Sequence, residues 1–416
     1  MSNGNARKLY YDKMRNRKYT LDALREQIQD EFLEETSGRS DILEELDTRE
    51  KRIAHLTEVA DYVLAREYVT LPQKEKQEII EQVVANVFYF GSLDPFLRDP
   101  EITEITIESP LNVHVRRGFA DMESVKSPFE TVAHMEQILA AMIAPAGTTL
   151  SRDFPFVEVG LNIHHRRARL SLIGPPISPM YSIQIRLHGR DAIPLDSLVP
   201  DVVPQSAADL LMQILAAGRG LMVTGEVGVG KTTLIAALLN TQTDLERVVV
   251  VERAAEMQLN DSIQHLAAIP HRADSDPVDF ATQIMEAVDH HTPGILVLDE
   301  IRGDESDAFW HALHESEIPQ LMIAFRGTSN PARLHSAISM AIRKHQFSLE
   351  SDTINTAILG KMPFVIALHH FKGASIPRLS LLGQWIMEGD SLKLESLITW
   401  GANGDPLRTD APLRLE

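Results

Sequence analysis

Eight consecutive residues carry the densest chemistry in this chain. Gly225, Glu226, Val227, Gly228, Val229, Gly230, Lys231 and Thr232 satisfy G-x-x-x-x-G-K-[ST], and Thr233 follows them. The glycines let the backbone turn sharply and aim its N–H groups inward, where a Cβ would block the approach of phosphates. A helix N-terminus directly after the loop adds partial positive charge. Lys231 is placed to reach β- and γ-phosphates, and the Thr232 hydroxyl to reach Mg²⁺. The expected ligands are therefore ATP and Mg²⁺.

Acids follow at two further places. Gly294-Ile295-Leu296-Val297-Leu298-Asp299-Glu300 is an apolar run ending in two carboxylates. At the carboxyl edge of a sheet, one of the two would contact Mg²⁺ through water and the other would polarise an attacking water as a general base. Glu252 and Glu256 come after the apolar run Val248–Val251. That run reads as a strand inserted between the phosphate-loop strand and the Asp-Glu strand, as in RecA-like hydrolases and unlike many small-molecule kinases.

These groups need a scaffold, and the pattern supplies one. Leu221–Thr224, Val248–Val251, Ile295–Leu298, Leu321–Phe325 and Phe364–Leu368 are continuous apolar strands separated by helices. Such strands imply a mainly parallel sheet covered on both faces, hence an α/β fold of RecA-like P-loop type over 205–400. Leu379–Ile386 and Leu392–Leu397 read as a terminal strand pair, and 401–416 as a tail. Upstream, 91–190 reads as a smaller α+β domain, with short alternating strands and a helix around 130–144. Pro194, Pro200 and Pro204 mark 191–204 as a stiff linker. Residues 1–90 form a charged helical region, with Leu21, Leu24, Ile28 and Phe32 at helical spacing.

Composition narrows the partners. There are 59 acidic and 40 basic residues, a formal charge of -19, which disfavours a nucleic-acid partner. The short basic cluster Arg166, Arg167 and Arg169 reads as a solvated face or a contact between subunits. The absence of cysteine excludes disulfides and thiolate zinc sites. No apolar run approaches the ~20 residues that span a bilayer. The N-terminus, with Arg7, Lys8, Tyr10, Lys13 and Arg15, lacks the apolar block of a signal peptide. The expectation is a cytoplasmic protein docked on a membrane through a partner.

Further motifs carry a resemblance. Gly91-Ser92-Leu93-Asp94-Pro95-Phe96-Leu97 with Asp99-Pro100-Glu101-Ile102-Thr103-Glu104-Ile105 is followed by Asn112–Gly118, Arg169–Pro176, Ser182–Arg186 and Leu195–Val199. Then come Glu252–Leu259, Leu298–Glu305 and Met387-Glu388-Gly389-Asp390. Over about 90–400 the chain resembles the type II/type IV secretion ATPases, most of all the tight-adherence (Tad/Flp) pilus assembly branch. The resemblance implies a PAS-like N-terminal domain and a hexameric homo-oligomeric ring at the inner face of the cell membrane. It also implies inner-membrane platform proteins as partners. Glu300 falls on the family's catalytic glutamate, Glu252 and Glu256 on acids that help hold metal and water. Arg169 and Arg186 fall on arginines that reach towards the γ-phosphate.

The chain also departs from the family. Asp299 stands where a glycine is usual. Ala324-Phe325-Arg326-Gly327-Thr328-Ser329 stands at the histidine box, so Arg326 brings a permanent cation in place of a titratable ring. Glu286-Ala287-Val288-Asp289-His290-His291 replaces an arginine-rich helix end. A hydrolysing ring motor is the leading reading. An ATP-binding subunit with little turnover and a RecA-like nucleic-acid motor are the alternatives.

Overall fold

The computed structural model describes residues 20–37, 39, 42, 45–129, 131–241, 247–260, 263–268, 277–316, 318–326, 330–372, 374–400 and 405–415. Contacts divide it into two units, Met1–Arg98 with Pro128–Ala141, and Asp99–Ser127 with Met142–Glu416.

The first unit is helical among its described residues. α1 (Leu21–Thr36) starts at Thr20, whose hydroxyl accepts from the Ala23 N–H, and it buries Leu24, Ile28 and Phe32. α2 (Arg49–Arg66) is capped the same way by Thr48 and buries Leu56, Val59, Ala60, Val63 and Leu64. α3 (Gln73–Phe88) begins directly after Pro72 and turns Ile79, Ile80, Val83 and Val84 into the same apolar cluster. The short α4 (Asp94–Arg98) and most of α5 (Val132–Ile143) belong here too.

The second unit holds two sheets. The first has six antiparallel strands: β1 (Ile102–Ser109), β2 (Asn112–Arg117), β3 (Glu123–Val125), β4 (Phe156–Ile163), β5 (Arg166–Ile173) and β6 (Ser182–Leu187), ordered β3-β2-β1-β6-β5-β4. Side chains alternate between its faces. Ile105, Val113, Val159, Leu170 and Ile185 are buried on one face. Glu158, Gly160, Arg169, Gln184 and Arg186 line the other, with Gly160 opposite Arg169 and Arg169 opposite Arg186.

After α6 (Gln205–Ala216) comes the large sheet. Its first parallel strand, β7 (Leu221–Gly225), leads into α7 (Lys231–Asn240), β8 (Val248–Glu252) and β9 (Gln264–Ala267). Next come α8 (Phe280–His290), β10 (Ile295–Ile301), α9 (Ser306–His314), β11 (Gln320–Arg326), α10 (Pro331–Arg343), α11 (Ser351–Lys361) and β12 (Phe364–His369). β13 (Arg378–Glu388), β14 (Ser391–Trp400) and β15 (Pro406–Arg408) extend one edge. The order is β15-β14-β13-β12-β7-β11-β10-β8-β9. Strands from β12 to β9 pair in parallel, whereas β13, β14 and β15 pair antiparallel, so the sheet is mixed.

Both faces of the parallel part are covered, which is why its strands read as unbroken apolar runs. Val223, Val250 and Val297 pack with α6 and α7 on one side. Val249, Val251, Leu296 and Leu298 pack with helices α8 to α11 on the other. The proline-bearing stretch is tied to this core: Leu195 and Val203 are buried in it, and the Leu379 N–H donates to Val202 O at 2.8 Å.

One expectation is corrected. The strand between β7 and β10 is β11, not the Val248–Glu252 run, which lies on the far side of β10. The crossover through α7 carries the chain past two places in the sheet, which β11 and β10 take. Among the described residues, no helix is long and apolar enough to cross a membrane.

Candidate active site

β7 ends at Gly225 with φ +148°, and a Cβ there would stand 2.5 Å from Leu368 O and 2.9 Å from Val229 Cγ2. Gly228 and Gly230 have φ +83° and +87°, the left-handed region that favours glycine. Val229 between them is buried in the core and anchors the loop, while Glu226 and Val227 are exposed. α7 starts at Lys231, so its free N–H groups open onto the loop.

Lys231 is buried, and its Nζ donates to the carbonyls of Gly225 at 3.1 Å and Glu226 at 2.8 Å. Burial lowers its pKa, against the pull of Glu300 and Asp299. Thr232 Oγ1 donates to Asp299 Oδ1 at 3.0 Å. Thr233, half-buried, shares that first helical turn.

Asp299 and Glu300 sit at the carboxyl end of β10, and Glu252 at that of β8; all three are buried. Glu252 accepts from the N–H groups of Glu256 at 3.3 Å and Met257 at 3.1 Å, and its other oxygen lies against the His265 ring. Glu252, Glu256 and Asp299 offer oxygens within 4.8 Å of one another, the only such trio of metal-binding side chains among the described residues. Burial, then neighbouring carboxylates, push Glu252 and Asp299 well above the usual carboxylate range. Crowded hard oxygens beside the Thr232 hydroxyl fit a divalent cation such as Mg²⁺, whose charge would relieve that crowding. Glu256 goes the other way: burial is outweighed by its hydrogen bond with His188 and by Arg169.

Arg169 projects from the polar face of β5. Its Nη1 lies 3.2 Å from Glu256 Oε1 and 3.6 Å from Glu300 Oε2, and its Nη2 pairs with Glu158. Burial would weaken this cation, but Glu256, Glu158 and Glu300 outweigh burial and hold it charged. The approach depends on Gly160. A Cβ there would stand 2.5 Å from the Ala255 nitrogen, so only glycine lets β4 lie against the loop bearing Glu256.

Glu300 adopts φ +58°, unusual for a residue with a side chain. Arg302 Nε donates to Glu300 Oε2 at 3.1 Å, and Arg302 Nη2 reaches the same oxygen. Burial would raise the Glu300 pKa, but Arg302, Arg169 and Lys231 bring it below the usual range, so the carboxylate is ionised.

The structure thus gathers Lys231, Thr232, Asp299, Glu300, Glu252, Glu256 and Arg169 around one space. Arg186 and Arg326 stand beside it, with no side-chain hydrogen bond or ion pair among the described residues. Arg186 is half-buried opposite Arg169, and Arg326 is exposed opposite Gly225 in the β11–β7 register. Gly327, Thr328 and Ser329 of the departed histidine box lie outside the described residues, as do Arg7, Lys8, Tyr10, Lys13 and Arg15. The reading of Arg166 and Arg169 as a solvated or intersubunit patch is corrected. Arg166 is buried, donating to the carbonyls of His188, Asp99 and Ile102 at 2.7–2.9 Å, and Arg169 meets carboxylates.

The sequence reading gives no role to Glu158, His188, His265 or Arg302. Alternation could have found Glu158 and His188, which share the polar face with Arg169. Nothing local marks His265.

Comparison with known proteins supports the same assignment of fold. A family profile described as "Type II/IV secretion system protein" matches residues 91–313. A protein of Mycobacterium tuberculosis (strain CDC 1551 / Oshkosh), provisionally named for conjugal transfer, is 26% identical over 277 residues, 61% of this chain and 78% of its own length. The type IV secretion system protein PtlH of Bordetella pertussis is 26% identical over 253 residues, covering 54% of this chain and 73% of that protein. The solved structure of the Legionella pneumophila ATPase DotB aligns with a TM-score of 0.50 at 15% identity, over 73% of this chain and 81% of that one. That likeness is one of fold.

Proposed function

The chain belongs to the Type II/IV secretion system protein family, and we propose that it is a ring-forming ATPase driving pilus assembly or protein secretion. Its place is cytoplasmic, at the inner face of the membrane, acting through inner-membrane platform proteins of a tight-adherence pilus system. The ring is a homo-oligomer, a hexamer. The observation that carries this reading is the convergence of Lys231, the Thr232–Asp299 pair, ionised Glu300 and Arg169 on one space.

The chemistry follows from that arrangement. Backbone N–H groups from Gly225 to Gly230 hold the phosphates, with Glu226, Val227, Val229 and Thr233 shaping the loop. Lys231 exchanges the carbonyls of Gly225 and Glu226 for β- and γ-phosphate oxygens. Thr232, Asp299 and Glu252 would hold Mg²⁺, which supplies charge neutralisation on those oxygens. Glu300, assisted by Glu256, orients water and accepts its proton as the water oxygen bonds to the γ-phosphorus. The bond to the β–γ bridging oxygen breaks, leaving ADP and phosphate. Arg169, Arg186 and Arg326 stabilise charge on the transferring group. Arg169 comes from the six-stranded sheet and Glu300 from the large one. Loss of the γ-phosphate therefore weakens the tie between them, with 191–204 as the hinge between domains 91–190 and 205–400.

The test is steady-state ATP hydrolysis by the purified chain. Lys231→Ala should lose nucleotide binding. Glu300→Gln should bind ATP and lose turnover by roughly 10²–10⁴-fold. Undiminished hydrolysis by Glu300→Gln would sink this reading. A second reading, an ATP-binding subunit with little turnover, draws on Arg326 and on the Arg302 grip on Glu300. Tight ATP binding by the wild type without turnover, even with membrane partners, would favour it.

A further inference from the structure

Glu300 needs its backbone held as well as its carboxylate. Its φ of +58° is a conformation that L side chains resist, so neighbouring contacts must maintain it. Arg302 and Arg169 grip only the carboxylate. A different arginine, absent from the mechanism above, grips the main chain.

Arg253 follows β8 directly and is nearly buried, with 10% of its side chain exposed. Its Nε donates to the Glu300 carbonyl at 3.2 Å. Its Nη1 and Nη2 donate to the two Asp304 oxygens at 3.0 and 2.6 Å, and Nη2 also meets Glu305. The guanidinium lies 4.6 Å from the centroid of the Phe280 ring, which fixes its plane. Glu305 completes the arrangement. Its other oxygen accepts from the N–H groups of Arg302 at 2.7 Å and Gly303 at 3.0 Å. One cation and one carboxylate therefore secure the main chain on both sides of the turn that aims Glu300.

We propose that Arg253 is a positioning residue for hydrolysis: its planar fork joins the loops after β8 and β10 and keeps the Glu300 backbone turned towards the nucleotide. The idea rests on the hydrolytic reading of the site, but it concerns geometry that exists without nucleotide. A lysine cannot replace the fork, because one ammonium cannot serve a carbonyl and two carboxylates in fixed directions.

The test compares Arg253→Ala, Arg253→Lys and the double variant Arg253→Ala/Glu305→Gln. Nucleotide affinity should stay within about threefold, since Arg253 is remote from the phosphate loop in the contacts it makes. The kcat should fall by about tenfold or more, as displacement of a reacting group by about 1 Å can cost on the order of 10²-fold. Arg253→Lys should be no better than Arg253→Ala. The double variant removes the buried carboxylate left without its cation, so it should recover thermal stability while kcat stays low. Wild-type kcat in Arg253→Ala, rescue by lysine, or kcat recovering with stability would each overturn the proposal. The crystal structure of nucleotide-free Arg253→Ala gives an independent answer. Glu300 should leave its positive φ there, and retention of that φ would overturn the proposal whether or not the wild type hydrolyses ATP. Failure of wild-type hydrolysis would instead count against the assigned activity.

Discussion

A carboxylate buried as deeply as Glu305 takes its acidity from its surroundings, burial first. Burial, then Asp304, raise its pKa to about 7, although Arg253 pulls the other way. The folded state therefore binds a proton more tightly than the unfolded chain between pH 4.5 and about 7. Its contribution to stability is complete below the unfolded value and fades as pH rises through the folded one. Glu305→Gln should remove this slope. Chemical denaturation at pH 5 and pH 8 measures it, and an unchanged slope in the variant would refute the assignment. Gly225→Ala is a second residue-scale case. The added methyl meets Leu368 O, which is main chain and cannot step aside. A loss of about 1–3 kcal/mol in stability is expected, together with loss of ATP binding, read by melting with and without nucleotide. The roles of such residues were unevenly legible. The phosphate loop announces itself because its chemistry is local. Glu305, Arg253 and Arg302 lie within the acidic motifs after β8 and β10, yet their contacts depend on where those strands lie side by side, which no local pattern encodes.

The elements that matter most are the two that bring sheets together at the site, β4 and the loop after β8. Gly160→Val should push β4 away from Ala255 and carry Arg169, its cross-strand neighbour, away from Glu256 and Glu300. Turnover should drop by about tenfold or more while the phosphate loop still binds ATP. Kinetics beside equilibrium nucleotide binding separate the two effects, and parallel loss of both would contradict this account. Strand existence was readable from apolar runs, because β7, β8, β10, β11 and β12 are buried on both faces. Strand order was not. The run Val248–Val251 reads as the strand beside β7, a place that β11 takes, since adjacency in a parallel sheet is decided by crossovers many residues long. The antiparallel extension was legible only as the pair β13 and β14; β15, three residues long, falls in the stretch read as a tail.

Across the whole molecule, every grouped site residue comes from the second unit, Asp99–Ser127 with Met142–Glu416. Hydrogen exchange with a slowly hydrolysed ATP analogue should therefore protect 225–233, 252–257 and 158–169 and leave α1, α2 and α3 as they were. Protection centred on those helices would be incompatible with the site described. The formal charge of -19 leads to another expectation: duplex DNA should alter turnover by less than about twofold at low salt. Salt-sensitive stimulation would revive a nucleic-acid role. The α/β fold was legible because hydrophobic period set it. The way carboxylates and arginines share protons and charge was not, since that depends on burial. The contact at Gly160 has one more consequence. Main chain meets main chain there, directly beside the strand position of Arg169. With no side chain between them, the two stretches of backbone set the gap between sheet and loop, and that gap sets how far the Arg169 guanidinium must reach to meet Glu256 and Glu300.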